Sequence, residues 1–519
     1  MRLFRTIGAV VSVGAWMLNS CLPANADYTT FHYDNNRTGW SSDSAYLTPS
    51  YIGGHFITLA NRSLDGGQVD AQPLYQQSTD TVFVATENNS VYGLSSTGVT
   101  KWQAYLGSPV PKAYYGNCNN NPPSIGIAST PVLDSAANIL YVVSYTLNGG
   151  PAYYLHALST TNGADVIAPV LISPPGSPAF NPSVQRQRAA LLEANGNIYV
   201  AFASFCDFFA DQSFGQILSY SASNLAFQAR YVTTNYGSCP NQNVGPSPYY
   251  LGSIWMSGFG PAADSSGNVY FTTGNGCISY YDVNNGAFSQ AVLKLTPGLH
   301  LNDNTSTMFA PCHAQAESKS DLDLGSGGVT LLPDQGGSVP RLMVVGGKTG
   351  WTYMLNRDLL GGWNQPCPDH IAYSTQTNGG LWGGHVAFKL SDGNTYLAVG
   401  GNGTAVNRYK VKLGGPLSDQ ATTGRNLTGE GGTSPVVSSN GTLAGTAMLW
   451  YLTRPSGGTG TIYLQAYDAA NLSRGRYVDV AAGTWVNNGA GPFLSPTVTN
   501  NRIIVASQNQ LVIFSVSGI

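Results

Sequence analysis

From residue 73 to the C-terminus, short apolar runs alternate with clusters of Gly, Asn, Asp and Ser, a rhythm of strands and tight turns. One unit reads Ser495-Pro496-Thr497-Val498, then Asn500-Asn501-Arg502, then Ile503-Ile504-Val505-Ala506-Ser507, then Gln508-Asn509-Gln510 and Leu511-Val512-Ile513-Phe514. The same order returns at 73–94, 131–158, 191–220, 261–295, 329–355, 386–411 and 435–467, about eight copies that fill nearly the whole chain. A spacing of roughly 50–70 residues marks a repeat architecture. No segment has the periodicity of a long amphipathic helix or a heptad run. The pattern predicts an all-β fold, an eight-bladed β-propeller with four-stranded antiparallel blades around a central channel. An extra strand over residues 28–33 precedes the first copy. The first and last copies are expected to join, because an open ring leaves bare strand edges.

Composition narrows the compartment and the partners. The chain has 519 residues, 62 Gly, 30 Tyr and only 9% charged residues, with a net charge of −3. Glycine serves the tight turns, and aromatic and β-branched residues fill pleated strands. The lack of a basic stripe argues against nucleic acid and anionic membranes as partners. Arg2 and Arg5, the apolar stretch 6–18 and Ala24-Asn25-Ala26 read as a signal peptide over 1–26. A single propeller domain over 27–519 follows, in a chain exported to the periplasm or beyond. Cys21 in Leu18-Asn19-Ser20-Cys21 offers lipoprotein processing as the alternative. No segment reaches the ~20 apolar residues of a transmembrane helix. The mature cysteines, Cys118, Cys206, Cys239, Cys277, Cys312 and Cys367, are expected to form at least one disulfide. Loops at one end of the ring carrying Cys206, Cys239 and Cys277 are the expected place. No Cys-x-x-Cys occurs, which argues against structural zinc and against attached haem.

Several stretches resemble the propellers built of pyrroloquinoline quinone (PQQ)-type repeats, the quinoprotein alcohol dehydrogenase-like class. Val91-Tyr92-Gly93-Leu94 with Thr97-Gly98 and Lys101-Trp102 is similar to one such repeat, and Val269-Tyr270-Phe271-Thr272-Thr273-Gly274-Asn275-Gly276 to another. Asp34-Asn35-Asn36-Arg37-Thr38-Gly39, Ala71-Gln72-Pro73-Leu74-Tyr75, Trp255-Met256-Ser257-Gly258 and residues 321–328 extend the resemblance to a secreted bacterial group of that class. The class contains quinone-dependent dehydrogenases and catalytically silent scaffolds, and fold alone does not choose between them.

The resemblance implies roles for six residues. Trp255, 20 residues before Asn275, matches the tryptophan floor beneath the quinone ring. Asn275 matches an asparagine that offers its oxygen to the active-site metal, a hard cation such as Ca²⁺. Asp321 stands in the place of the catalytic base. Asp323, expected on the same strand face, resembles the additional ligand of lanthanide-using members. Lys348, 27 residues after Asp321, matches the lysine at the quinone oxygens. Asp207 is the nearest candidate for an earlier acidic metal ligand. The adjacent-cysteine disulfide ring of many dehydrogenases is missing, and the arginine they use against the quinone has no evident counterpart. Each residue also has a plain alternative: a blade-packing tryptophan, an Asn-Gly type I′ turn, exposed carboxylates at a strand start, and a solvated turn lysine.

Three functions therefore stay open. One is an oxidoreductase using PQQ with Ca²⁺ or a lanthanide, taking a small alcohol or sugar and passing electrons to a separate acceptor. The second is a non-catalytic propeller that binds protein, peptide or glycan at the channel mouth. The third is a polysaccharide lyase or hydrolase with acidic pairs across the channel.

Overall fold

A computed structural model describes residues 27–116, 118, 122–234, 250–376, 379–429, 431–487 and 494–518. Residues 1–26, expected to be a signal segment and including Cys21, and Cys239 lie outside the described residues. Eight sheets follow one another along the chain as the blades of a propeller, with one small two-stranded hairpin besides.

The second strand of a blade, Thr81–Ala85 in blade 1 or Leu342–Gly346 in blade 5, is buried at every position. Each blade is pressed between two others, so such strands are apolar on both faces and do not alternate. The outermost strands, Thr100–Tyr105 and Asp165–Leu171, are mostly exposed. Turn chemistry is local: Asn500 and Asn501 take φ of 46° and 56°, the two positive values that a type I′ hairpin requires.

The ring closes on Phe56–Gln68, a strand outside the repeated copies. Phe56–Gln68 pairs antiparallel with the last part of Arg502–Val516, whose first part pairs with Thr497–Thr499. Blade 8 thus joins both ends of the chain.

Residues 28–43 form an internal collar instead. Tyr28 bridges Tyr75 of blade 1. The Thr29 carbonyl accepts from Leu133 N of blade 2, and Thr30 Oγ1 donates to the Leu191 carbonyl of blade 3. The carbonyls of Asn35, Asn36, Thr38 and Gly39 then accept from Ala263, Leu331, Ala387 and Val437 of blades 4 to 7. Thr499 Oγ1 of blade 8 donates to Asp43. One short segment therefore visits the inner strands in ring order. Gly39 is obligatory, since its φ is +69° and an added Cβ would lie 2.5 Å from the His32 ring.

Two disulfides are present, Cys118–Cys206 and Cys312–Cys367, and Cys277 is disulfide-bonded as well. The thiols beside His313 are consumed in the second bridge, so Cys312, His313 and Cys367 do not make a metal site. Among the described residues no helix is long and apolar enough to cross a membrane.

Candidate functional site

Corresponding positions of successive blades supply the site. Asp207, Asn275 and Lys348 each follow the second strand of blades 3, 4 and 5, which end at Ser204, Thr272 and Gly346. Trp255 and Asp323 each stand seven residues before the inner strands Ala262–Ala263 and Thr330–Leu331. Antiparallel neighbours bring the end of one strand beside the start of the next. All five therefore face one mouth of the channel, beyond the ends of the inner strands that the collar holds.

The contacts are direct. Lys348 Nζ lies 2.8 Å from Asp321 Oδ1 and 2.6 Å from Asp323 Oδ2. Asn275 Nδ2 donates to Asp321 Oδ1 at 2.7 Å, and its backbone N–H donates to Asp323 Oδ1 at 2.7 Å. Three glycines permit this convergence. A Cβ on Gly274 would lie 2.6 Å from Asp323 Oδ1 and 2.8 Å from Trp255 Cδ1. One on Gly325 or Gly347 would meet the backbone of Thr273 or Asp323 at 2.4 Å. Trp255 is half-buried, and Lys348 Nζ also lies 5.8 Å from the ring centre of half-buried Trp382.

The two carboxylates share a lysine but differ in environment. Asp321 is 75% exposed at its side chain and Asp323 only 6%. Burial pushes the Asp321 acid up, but the hydrogen bond and charge of Lys348, with the Asn275 amide, outweigh it and hold the group below its usual range. For Asp323 burial wins over Lys348 and the acid is raised. Burial alone would lower Lys348, yet Asp323 and Asp321 keep it raised and charged. Asp207 is pushed up to about 7 by burial and then by the Asp323 charge, against a hydrogen bond with Ser204. Its turn is held by the Cys118–Cys206 bridge, with Cys206 and Asp207 both left-handed.

Asp321 and Asp323 are not on a strand, contrary to expectation. They follow the short helix Ala314–Lys319, and Asp321 takes φ 56°, which turns both carboxylates onto one lysine. Asn275 lacks the positive φ of a type I′ turn. Gln290 was not legible in the sequence. Its Oε1 accepts from Leu324 N and its Nε2 donates to Asn275 Oδ1, so Asn275 presents its amide nitrogen to Asp321. Gln290 stands two residues before the apolar strand Val292–Leu295, with φ 51°, and carries no motif.

A second arrangement has catalytic spacing but no access. In blade 2, His156 Nε2 lies 3.1 Å from Ser144 Oγ and its Nδ1 3.1 Å from Asp165 Oδ1. Ser144 is fully buried within Ile139–Leu147, so no acyl group reaches it.

No protein-family model and no curated protein matches the chain. Solved structures do. The quinohemoprotein alcohol dehydrogenase of Comamonas testosteroni aligns with a TM-score of 0.63 at 14% identity, over 96% of this chain and 82% of that one. A europium-containing methanol dehydrogenase aligns at 0.64 and 12%, over 94% and 98%. The quinohemoprotein alcohol dehydrogenase ADHIIG of Pseudomonas putida HK5 aligns at 0.59 and 11%, over 95% and 81%. The chain is an eight-bladed β-propeller with the fold of these quinoprotein dehydrogenases. At such identities the likeness speaks for the fold.

Proposed function

We propose that this chain is an exported oxidoreductase that oxidises an alcohol or sugar hydroxyl with PQQ and a hard cation, Ca²⁺ or a lanthanide, at the mouth of the channel. The observation that carries this reading is the convergence of Asp207, Asn275, Asp321, Asp323 and Lys348 beside Trp255. The donor set fits the metal: carboxylate and amide oxygens suit hard cations, and two of the carboxylates already converge on one cationic atom. Asp207, Asp323 and Asn275 would hold the ion, Asn275 Oδ1 having a second lone pair beside the one that accepts from Gln290. Trp255, half-buried beside Gly274, would supply the flat indole for the quinone.

PQQ, when bound, supplies a two-electron acceptor for hydride. Asp321, ionised and open to the channel, takes the proton of the substrate hydroxyl. Lys348 places a fixed positive charge where negative charge develops. Electrons leave to a separate acceptor, since the sequence has no Cys-x-x-Cys-His site.

The scaffold reading has its own support. Phe208 and Leu322, the chain neighbours of Asp207 and Asp321, are 57% and 37% exposed, apolar side chains that a protein or glycan at the mouth would cover. The test is reconstitution of the purified mature chain with PQQ and Ca²⁺ or La³⁺, followed by alcohol-dependent reduction of an artificial electron acceptor. Turnover that needs both additions supports the enzyme. Its absence, with no PQQ retained, leaves the scaffold.

A further inference from the structure

We infer that a second site opens on the mouth face of the ring, between blades 6 and 7: a cavity that holds a saccharide, with the Tyr463 ring as its platform. The strand Gly458–Asp468 is the third of blade 7. Its Ile462 and Leu464 are fully buried in one cluster with Val498 and Ile503 of blade 8. Thr461, Tyr463, Gln465 and Tyr467 alternate with them and so face blade 6. At depth this face is closed, with Tyr451 and Tyr467 in one cluster with Val386 and Phe388 of blade 6. Nearer the mouth it turns polar and leaves a cavity of about 430 Å³, within the range of roughly 300–1,000 Å³ for small-molecule sites.

The walls are fixed by the fold. Gln465 stands opposite Asp479 of the neighbouring strand Arg476–Asn487, and its Nε2 donates to Asp479 Oδ1 at 3.2 Å. Arg476 holds the other Asp479 oxygen at 2.7 Å. On the blade 6 side, Thr428 Oγ1 donates to the Arg454 carbonyl at 2.7 Å, and Arg454 Nη2 donates to the Gly432 carbonyl at 3.2 Å. Gly429, at φ +87°, lets that segment close, since an added Cβ would lie 3.0 Å from the Pro455 carbonyl oxygen. Within this frame Arg454 is 3% exposed, while the Tyr463 ring is 43% exposed.

The lining selects its ligand by hydrogen-bonding type. Arg425 and Arg454 only donate, ionised Asp479 only accepts, and Gln465, Thr428 and Tyr463 do both. An anion such as phosphate only accepts, and it would meet Asp479. An ammonium only donates, and it would meet two guanidiniums. A hydroxyl does both, so a ring that carries several of them satisfies the whole set. The open face of Tyr463 then covers the apolar face of that ring.

Position ties the cavity to the mouth. Arg454 and Pro455 follow the second strand of blade 7, Met448–Thr453, as Gly347 and Lys348 follow that of blade 5. The Gly431 carbonyl, in the wall segment, accepts from Trp382 N, and the Trp382 ring centre lies 5.8 Å from Lys348 Nζ. The cavity shares a face of the ring with the Asp321, Asp323 and Lys348 cluster but uses none of its residues. The inference therefore stands or falls apart from the oxidoreductase reading.

The test is calorimetric titration of the mature chain with cellotriose, maltotriose and chitotriose, and separately with inorganic phosphate, in the wild type, Tyr463→Ala, Tyr463→Phe and Asp479→Ala. We expect at least one saccharide to bind saturably, and Tyr463→Ala to weaken it at least ~10-fold. Tyr463→Phe, which keeps the ring face, should stay within ~3-fold of the wild type, and Asp479→Ala should weaken binding at least ~5-fold through loss of a charged acceptor. Tyr463 and Asp479 stand at the surface of the cavity, so their replacement leaves the fold intact. Failure of all three saccharides to bind at ~10 mM overturns the site. Saccharide binding equal in all four proteins, or phosphate that saturates the chain and displaces the saccharide, overturns it as well.

Discussion

Arg37, in the collar, and Arg186, at the mouth, are both sealed from water and meet opposite treatment. Arg37 makes five hydrogen bonds: Nε and Nη2 to the Pro261 carbonyl, Nη2 to the Leu191 carbonyl, and Nη1 to the Phe31 carbonyl and Thr30 Oγ1. Arg186 has its Nε and Nη2 bare. A guanidinium that serves the fold is satisfied by the fold, because leaving it unpaired in the interior is costly. The contrast extends to the two parts of the channel. The collar bonds backbone to backbone, blade after blade, while the mouth gathers Asp321, Asp323 and Lys348 into charge contacts that solvent and ligands reach.

The sharpest way to break this contrast is to remove each arginine. Arg37→Met strips acceptors on two blades and in the collar and is expected to cost about 4–5 kcal/mol of unfolding free energy in urea, the range of disrupted buried networks. Arg186→Met should cost much less, since its Nε and Nη2 make no hydrogen bond and what is lost is its charge beside Glu87. Equal losses would erase the distinction between the two.

Within the mouth, the two aspartates separate structure from chemistry. Asp323→Ala leaves Lys348 without its buried partner and the Asn275 N–H without its acceptor, and should cost about 3 kcal/mol by the same unfolding measurement. Asp321→Ala removes an exposed carboxylate and should shift stability by no more than about 0.5 kcal/mol. Its turnover with PQQ and metal should nevertheless fall at least ~100-fold, the contribution of a general base. Retained turnover would show that Asp321 is not the base.

The smallest expected effects are in pH, and they have opposite signs at the two places. Burial lowers His32 of the collar from 6.5 to about 4, while its ring bonds the carbonyls of Arg37 and Pro435. The unfolded chain takes up that proton first, so stability falls as pH drops from 6.5 towards 4. Asp207 keeps its proton to about 7, so the native state binds more protons between about 4 and 7 and its stability falls as pH rises through that window. Denaturation series on His32→Gln and Asp207→Asn should each flatten one limb. Loss of the wrong limb would reverse the assignment.

The blades were legible because each is encoded locally: apolar strands, Asn-rich turns and a repeated order need no knowledge of the rest of the chain. The collar was not, since its partners are distant; His32 bonds Pro435, 403 residues away. Phe56–Gln68 is mostly exposed along its first part and carries no repeat signature, so the closing strand was not anticipated. At the mouth, the six residues singled out by resemblance do come together. The left-handed turn at Asp321 and the Gln290 clamp follow from tertiary packing and leave no motif. Gln185-Arg186-Gln187-Arg188 reads as a polar, solvated stretch, yet all four side chains are buried.

The central claim is that the mouth gathers these side chains to hold a hard cation. Its most direct test is titration of the mature chain with Tb³⁺, exciting the indole of Trp255 and reading sensitised lanthanide emission. The account predicts saturable emission that grows as pH passes 7, where Asp207 releases its proton, and an affinity lowered at least ~10-fold in Asp323→Asn. Emission that never appears, or that is the same in Asp323→Asn and Asp321→Ala as in the wild type, would contradict it.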